Sequence, residues 1–185
     1  MIAGKARHLM LKTVEGQGTR PTTDRIKETL FNMISFEIEG TFFLDLFAGS
    51  GGIGIEALSR GASSAVFVEN NRKAAACIRE NLIHTHLADQ ALLLQTDVMT
   101  ALSQLSAKGR HFDYIFMDPP YGKGWEQKVL TMLESSPLCD ESTVIIVESD
   151  LYTEFSWLSG TSFRISREKT YKSNNHTFIT KDVQL

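Results

Sequence analysis

Cysteine and proline are sparse in this chain, with two and four residues in 185. No apolar run nears the roughly 18 residues that a membrane-spanning helix needs. Cys77 and Cys139 stand alone outside any paired spacing, which argues against a disulfide framework and for reduced thiols in a cytoplasmic protein. The five histidines do not cluster with them, and His84 and His86 read as solvated residues near a helix end, so no metal site is expected. The opening MIAGKARHLMLK has neither a continuous apolar core nor a small-residue cleavage site, so no signal peptide is expected. Internal repeats, low-complexity tracts and Pro- or Ser-rich linkers are absent too. The length suits one domain, or one domain with a short appendage. Hydrophobic content of 42% and charged content of 22% are those of an ordinary globular chain.

Net charge is only −3, yet it is unevenly spread. Residues 1–29 hold six Lys/Arg against three acids, and residues 164–185 hold five against two. The intervening 134 residues hold eight against seventeen. Both ends are basic and the middle is acidic. A polyanion is therefore drawn to the ends, with Lys5, Arg7 and Arg20 as its expected N-terminal footprint, and repelled by the middle unless a specific pocket admits part of it.

What is plentiful is a strand-then-helix alternation. After a helix start at Thr22-Thr23-Asp24, with Ile26, Leu30, Phe31 and Ile34 on one face, the chain repeats FFLDLF/IGIEALSR, AVFVE/RKAAACIRENL, ALLLQTD/VMTALSQLS and YIFMD/WEQKVLTMLES. STVIIVES is a fifth strand, and SFRISREKTY and HTFITKDV alternate as an antiparallel pair would. Short apolar strands separated by amphipathic helices predict an α/β fold, a parallel sheet covered on both faces.

Gly49-Ser50-Gly51-Gly52-Ile53-Gly54 fits G-x-G-x-x-G between the first strand and its helix. Such a turn lets the backbone of Ala48, Gly49, Ser50 and Gly51 approach a nucleotide, but dinucleotide oxidoreductases use it as well. The acids discriminate. Asp45, Glu69, Asp97 and Asp118 are separated by 24, 28 and 21 residues, one strand-helix unit each. All four therefore belong at the same carboxyl edge of the sheet, where such folds bind ligands. Four carboxylates repel a pyrophosphate and suit S-adenosylmethionine, which carries a sulfonium and an ammonium cation and no phosphate. Glu69, with Asn70 beside it, is placed for ribose hydroxyls, Asp97 and the Val98 backbone for adenine, and Asp45 for the methionine ammonium. Taken singly, each acid could equally be a solvated strand end or, for Asp97, a helix N-cap.

FDYIFMDPPYG delivers an acid, two prolines and an aromatic ring to one point after the fourth strand. The exocyclic amine of a nucleobase is a poor nucleophile, because its lone pair is delocalised into the ring. Asp118 and a carbonyl of the stiff, donor-free Pro119-Pro120 pair can accept its two N–H groups and redirect that lone pair. Tyr121 offers a face on which the extruded base stacks.

DPPY downstream of DLFAGSG resembles the motif pair of amino-group methyltransferases acting on nucleic acid. IAGKARHLMLKT, GTRPTTDRIKETLFN, DLFAGSGGIGIEALSRGA, FVE and DPPYG, in that order, resemble one family over nearly the whole chain: the bacterial small-subunit ribosomal RNA guanine-N2 methyltransferases of the RsmD type. The resemblance implies a Rossmann-like class I methyltransferase fold. It has a mostly parallel seven-stranded sheet over residues 41–185 and a basic appendage, a hairpin plus a helix, over residues 1–40. It implies methyl transfer from S-adenosylmethionine to the amine of one guanine in 16S ribosomal RNA, within the small subunit or its precursor; nothing in the sequence demands a partner chain, so a cytoplasmic monomer is expected. By position, Thr22 would help close over the cofactor, and Lys169, Tyr171 and Lys172 would meet RNA. The family's Lys-x-Tyr-Gly turn is here Lys169-Thr170-Tyr171-Lys172, without the glycine.

DNA adenine-N6 methylation shares the DPPY chemistry, but reading a DNA sequence calls for a recognition element that this chain has little room for. A nicotinamide-dependent oxidoreductase and a non-catalytic RNA-binding domain are the readings from other classes. Binding of S-adenosylmethionine without NAD excludes the first of these, and an intact DPPY argues against the second.

Overall fold

Among the described residues the chain forms seven strands: β1 (Phe42–Leu46), β2 (Ser64–Val68), β3 (Ala91–Leu94), β4 (Tyr114–Met117), β5 (Val144–Ser149), β6 (Phe163–Thr170) and β7 (Asn175–Lys181). The computed structural model describes residues 1–14, 24–34 and 37–182. The strands make one sheet in the order β3-β2-β1-β4-β5-β7-β6. β1 pairs in parallel with β2 and β4, β2 with β3, and β4 with β5. β7 is antiparallel to both β5 and β6. The reversal of strand order lies between β1 and β4, so a crevice opens where their carboxyl ends diverge.

Among the described residues five α-helices cover the sheet: α1 (Asp24–Ile34), α2 (Gly52–Ser59), α3 (Arg72–His84), α4 (Val98–Ala107) and α5 (Trp125–Glu134). Strand side chains alternate between faces, and two cores result. Phe43, Phe67, Phe116, Ile146 and Phe178 pack against Leu30 and Phe31 of α1, Ile55 and Leu58 of α2 and Ile78 of α3. Leu44, Leu46, Val66, Ile115, Met117 and Val147 pack against Leu102 and Leu105 of α4 and Val129, Leu130 and Leu133 of α5. Each such side chain contributes about 1.5–3 kcal/mol when fully buried. The central strands β1, β2, β4 and β5 are apolar on both faces because both faces are covered, whereas the edge strand β6 is exposed along most of its length.

α1 shares the first core with the sheet. Residues 1–14 form turns and extended chain rather than a strand, and their backbone is clamped onto α2. Ile2 N and Ala3 N donate to the two oxygens of Glu56 at 2.9 and 3.0 Å, and Ala6 N donates to Ser59 Oγ at 2.9 Å. Gly4, at φ +78°, lies so close that a Cβ there would stand 1.7 Å from Ser59 O. Glu56 is fully buried, and its Oε1 also receives Arg60 Nε at 2.7 Å. No helix among the described residues is long and apolar enough to cross a membrane.

Candidate active site

β1 leads into a turn whose backbone leaves the usual regions. Phe47 has φ 60°, Gly49 φ 56° and Gly51 φ 80°. A bulky residue in the left-handed region costs on the order of 1–2 kcal/mol and signals a constrained site; Phe47 is also met edge-on by Trp125, centroids 5.6 Å apart. Gly51 could not carry a side chain without pressing on Ile55 and Ile78, at 3.2 and 3.3 Å. At Gly54 a Cβ would stand 2.4 Å from the Phe67 ring. The glycines thus let α2 start directly above the sheet.

Two of the expected acids hold this turn in shape. Asp45, 2% exposed, accepts Gly54 N at 2.9 Å. Burial pushes its carboxyl up to about 7, with the Gly54 N–H opposing and Glu69 adding to the rise. Glu69 Oε2 accepts Gly49 N at 2.8 Å and Oε1 accepts Asn71 N at 2.7 Å. Asn70, between them, is exposed. Each Glu69 oxygen keeps a lone pair for a ligand hydroxyl.

Asp97 stands apart from this pattern. β3 ends at Leu94, and Asp97 is the N-cap of α4, its oxygens taken by Thr100 N at 2.9 Å and Thr100 Oγ1 at 2.7 Å. These bonds, the backbone one first, hold its carboxyl below the usual range. The cap is thus a real role for Asp97, while Val98 beside it is buried.

Asp118 follows β4 directly. Pro119 is buried, Pro120 is exposed, and Tyr121 is 42% exposed. Burial first, then Glu148, then Asp45 push the Asp118 carboxyl up to about 8. The Tyr121 phenol is driven up by burial and by Asp118. Glu148, at the end of β5, is a fifth acid of the same rim that motif reading missed. It is the last residue but one of the strand VIIVES, 30 residues after Asp118, and the strand-unit spacing that exposed the other four would have found it. Its partners Asn174 and His176 had no such signal, since antiparallel pairing alone brings them there.

The structure separates the expected RNA contacts into two groups. Lys169, Tyr171 and Lys172 lie at the end of β6 and in the β6–β7 turn, at the carboxyl edge, with Tyr171 near Glu148. Tyr171 N donates to Asn174 O at 2.8 Å, closing that turn around Lys172 and Ser173, and no residue in it has positive φ. The family's glycine is dispensable here because the turn needs no left-handed residue. Lys5 and Arg7 are exposed at the other end of α2, where Lys5 N bonds Ser59 O at 2.8 Å. Eight residues of helix at 1.5 Å each put them about 12 Å from the glycine turn. Arg20 and Thr22 lie outside the described residues. The chain returns at Lys12, whose N–H donates to Asn81 Oδ1 at 2.8 Å, while Asn81 Nδ2 donates to Lys12 O and to Ser50 O, each at 3.0 Å. Among the described residues no three His, Cys, Asp or Glu side chains gather as a metal-ligand set.

This rim, with its strained glycine turn, stacked acids and DPPY loop, can be set beside known proteins. The Bacillus subtilis protein YlbH is 38% identical over 171 residues, 92% of each chain. Ribosomal RNA small subunit methyltransferase D of Escherichia coli K12 is 36% identical over 151 residues, covering 82% of this chain and 74% of its own. The solved structure of Escherichia coli yhhF superposes with a TM-score of 0.84 at 32% identity, over 100% of this chain and 98% of that one. An RNA methyltransferase from Salinibacter ruber, solved with S-adenosyl-L-homocysteine, shares the fold, with a TM-score of 0.70 at 17% identity over 90% and 96% of the two chains. The family model described as "Conserved hypothetical protein 95" matches residues 1–180. The chain belongs to that family, the RsmD-type methyltransferases, and its sheet is the Rossmann-like class I methyltransferase fold.

Proposed function

We infer that this protein uses S-adenosylmethionine to methylate ribosomal RNA, and that its target is the exocyclic N2 amine of one guanine in the 16S RNA of the small subunit or its precursor. One observation carries the reading: a carboxyl, Asp118, held at the sheet's point of strand reversal beside a rigid proline pair and an exposed tyrosine face, next to a glycine turn. The relatives named for small-subunit ribosomal RNA methylation support the substrate class.

The residues present fit the methyl donor. Asp45, Glu69, Asp118 and Glu148 make a carboxyl-rich rim that suits a cation, whose arrival favours ionisation of Asp45 and Asp118, and the turn at Gly51 has no room for a side chain. The bound donor supplies an electrophilic methyl group. Glu69 would accept from the ribose hydroxyls, with Asn70 beside it. Asp97 and the Val98 backbone would meet the adenine, Asp45 the ammonium group, and the backbone of Ala48, Gly49, Ser50 and Gly51 the nucleoside, while Thr22, outside the described residues, is assigned to closing over the donor. Asp118 and a carbonyl of Pro119-Pro120 grip the two N–H groups of the base, and Tyr121 stacks on it. Positioning and charge placement then supply the acceleration. Residues 1–40 serve as the appendage that meets RNA and cofactor, with Lys5, Arg7 and Arg20 on the N-terminal side and Lys169, Tyr171 and Lys172 at the rim; residues 41–185 form the catalytic domain of a cytoplasmic monomer.

The test adds protein and tritiated S-adenosylmethionine to small subunits from cells lacking the gene. Label at one guanine N2 is expected. Label on DNA adenine instead would overturn the assignment in favour of a DNA enzyme sharing the DPPY loop.

A further inference from the structure

β4 and β5 pair in parallel up to Met117 and Val147, so the next residues, Asp118 and Glu148, end the ladder side by side. On the other side of β5, Glu148 stands directly opposite His176 of β7. Phe116, Ile146 and Phe178 face the first core. Two residues away on the same three strands, Asp118, Glu148 and His176 share that face and form a row.

The row is built, not incidental. Glu148 Oε1 accepts Asn174 Nδ2 at 2.7 Å, and Oε2 lies 3.0 Å from His176 Nε2. His176 is wholly buried, met edge-on by Phe116 and Tyr171, centroids 6.1 and 5.0 Å away. Its Nδ1 has no hydrogen-bond partner among the described residues. A second N–H there would be buried unpaired, which is costly, so the ring donates to Glu148 through Nε2.

We propose that Glu148, held by His176 and Asn174, is a positioning residue for the methyl transfer inferred above: it fixes an anion beside Asp118, so that Asp118 takes the proton that the methylated amine releases. The proposal rests on that functional reading. As the N–CH₃ bond forms, the S–CH₃ bond breaks and its electron pair stays on sulfur. The amine nitrogen becomes cationic, and one of its N–H protons passes to an Asp118 oxygen. A neutral secondary amine and a carboxylic acid remain, and the acid returns its proton to water when the base leaves.

Groups on every neighbouring element bear on this charge. Asp118 faces Asp45 from β1 and Glu148 from β5, and Tyr121 shares its loop. Asp150 after β5 and Glu126 of α5 act on Tyr121, and Glu69 after β2 acts on Asp45. Tyr171, in the β6–β7 turn, feels Glu148 and, from β6, the cation Arg167.

The experiment follows the Asp118 carboxyl by ¹³C NMR in the cofactor-free protein, independently of any RNA. Glu148→Gln should lower its titration midpoint by roughly one pH unit or more. His176→Leu, which strips a donor from Glu148, should lower it too. His176→Gln, whose amide still reaches as a donor, should restore it towards the parent value. In single-turnover methylation of small subunits at saturating S-adenosylmethionine, the acid limb of the rate profile should move down with the midpoint. An unmoved midpoint in both Glu148→Gln and His176→Leu overturns the proposal, as does a rate loss equal at every pH. A midpoint that moves while ribosomal RNA receives no methyl group leaves the coupling standing and overturns the functional reading instead.

Discussion

Two acids, Glu56 fully buried and Asp118 partly buried, live in opposite surroundings. Glu56, on α2, is enclosed by donors: the Ile2 and Ala3 N–H groups and the Arg60 guanidinium. Asp118, at the rim, is enclosed by carboxylates, and among the described residues no donor bonds to it. The first arrangement satisfies a charge so that the chain's start stays in place. The second leaves a carboxyl without a donor, an arrangement that marks a site where a ligand supplies the missing partner. Burial alone does not mark an active acid; the sign of what surrounds it does.

The largest break in this comparison is Asp118→Ala. Methyl transfer should fall by at least about 10³-fold, because a grip made in the transition state is lost. S-adenosyl-L-homocysteine affinity, read by calorimetry, should stay within a few-fold; normal turnover would remove the proposed role. Glu56→Ala should do the reverse. Stability in urea should drop by roughly 3–5 kcal/mol, the cost of stripping one partner from a buried pair, while the rate per folded molecule is little altered. A variant as stable as the parent would show that the clamp contributes nothing. The smallest effect concerns surface charge. Replacing Lys169 and Lys172 by Gln should reduce the salt slope of substrate binding by about two. Replacing Lys5 and Arg7, about 12 Å from the turn, should reduce it less; an equal or larger reduction would move the RNA footprint away from the rim.

The strand-helix units were legible because each element states its own periodicity: FFLDL, SAVFV, YIFM and VIIVES are apolar runs of strand length, and α3, α4 and α5 each bury one face. The antiparallel pairing of the last two strands was legible as well. That the later one, β7, would insert beside β5 was not, because strand order is decided by packing between distant segments. The same division runs through the site. Asp45, Glu69 and Asp118 announce themselves by spacing. Asp97 shares the spacing but spends its oxygens on Thr100, since β3 stops three residues early. His176 reads as an ordinary strand histidine until its register sets it against Glu148.

One side-chain amide, that of Asn81, bonds both to the backbone at Lys12 and to the carbonyl of Ser50. It works as a rivet through two plates, the incoming chain and the loop that would cradle the methyl donor. Whatever displaces the chain at Lys12 also loads the loop at Ser50, and a fault at this single residue would loosen both plates together.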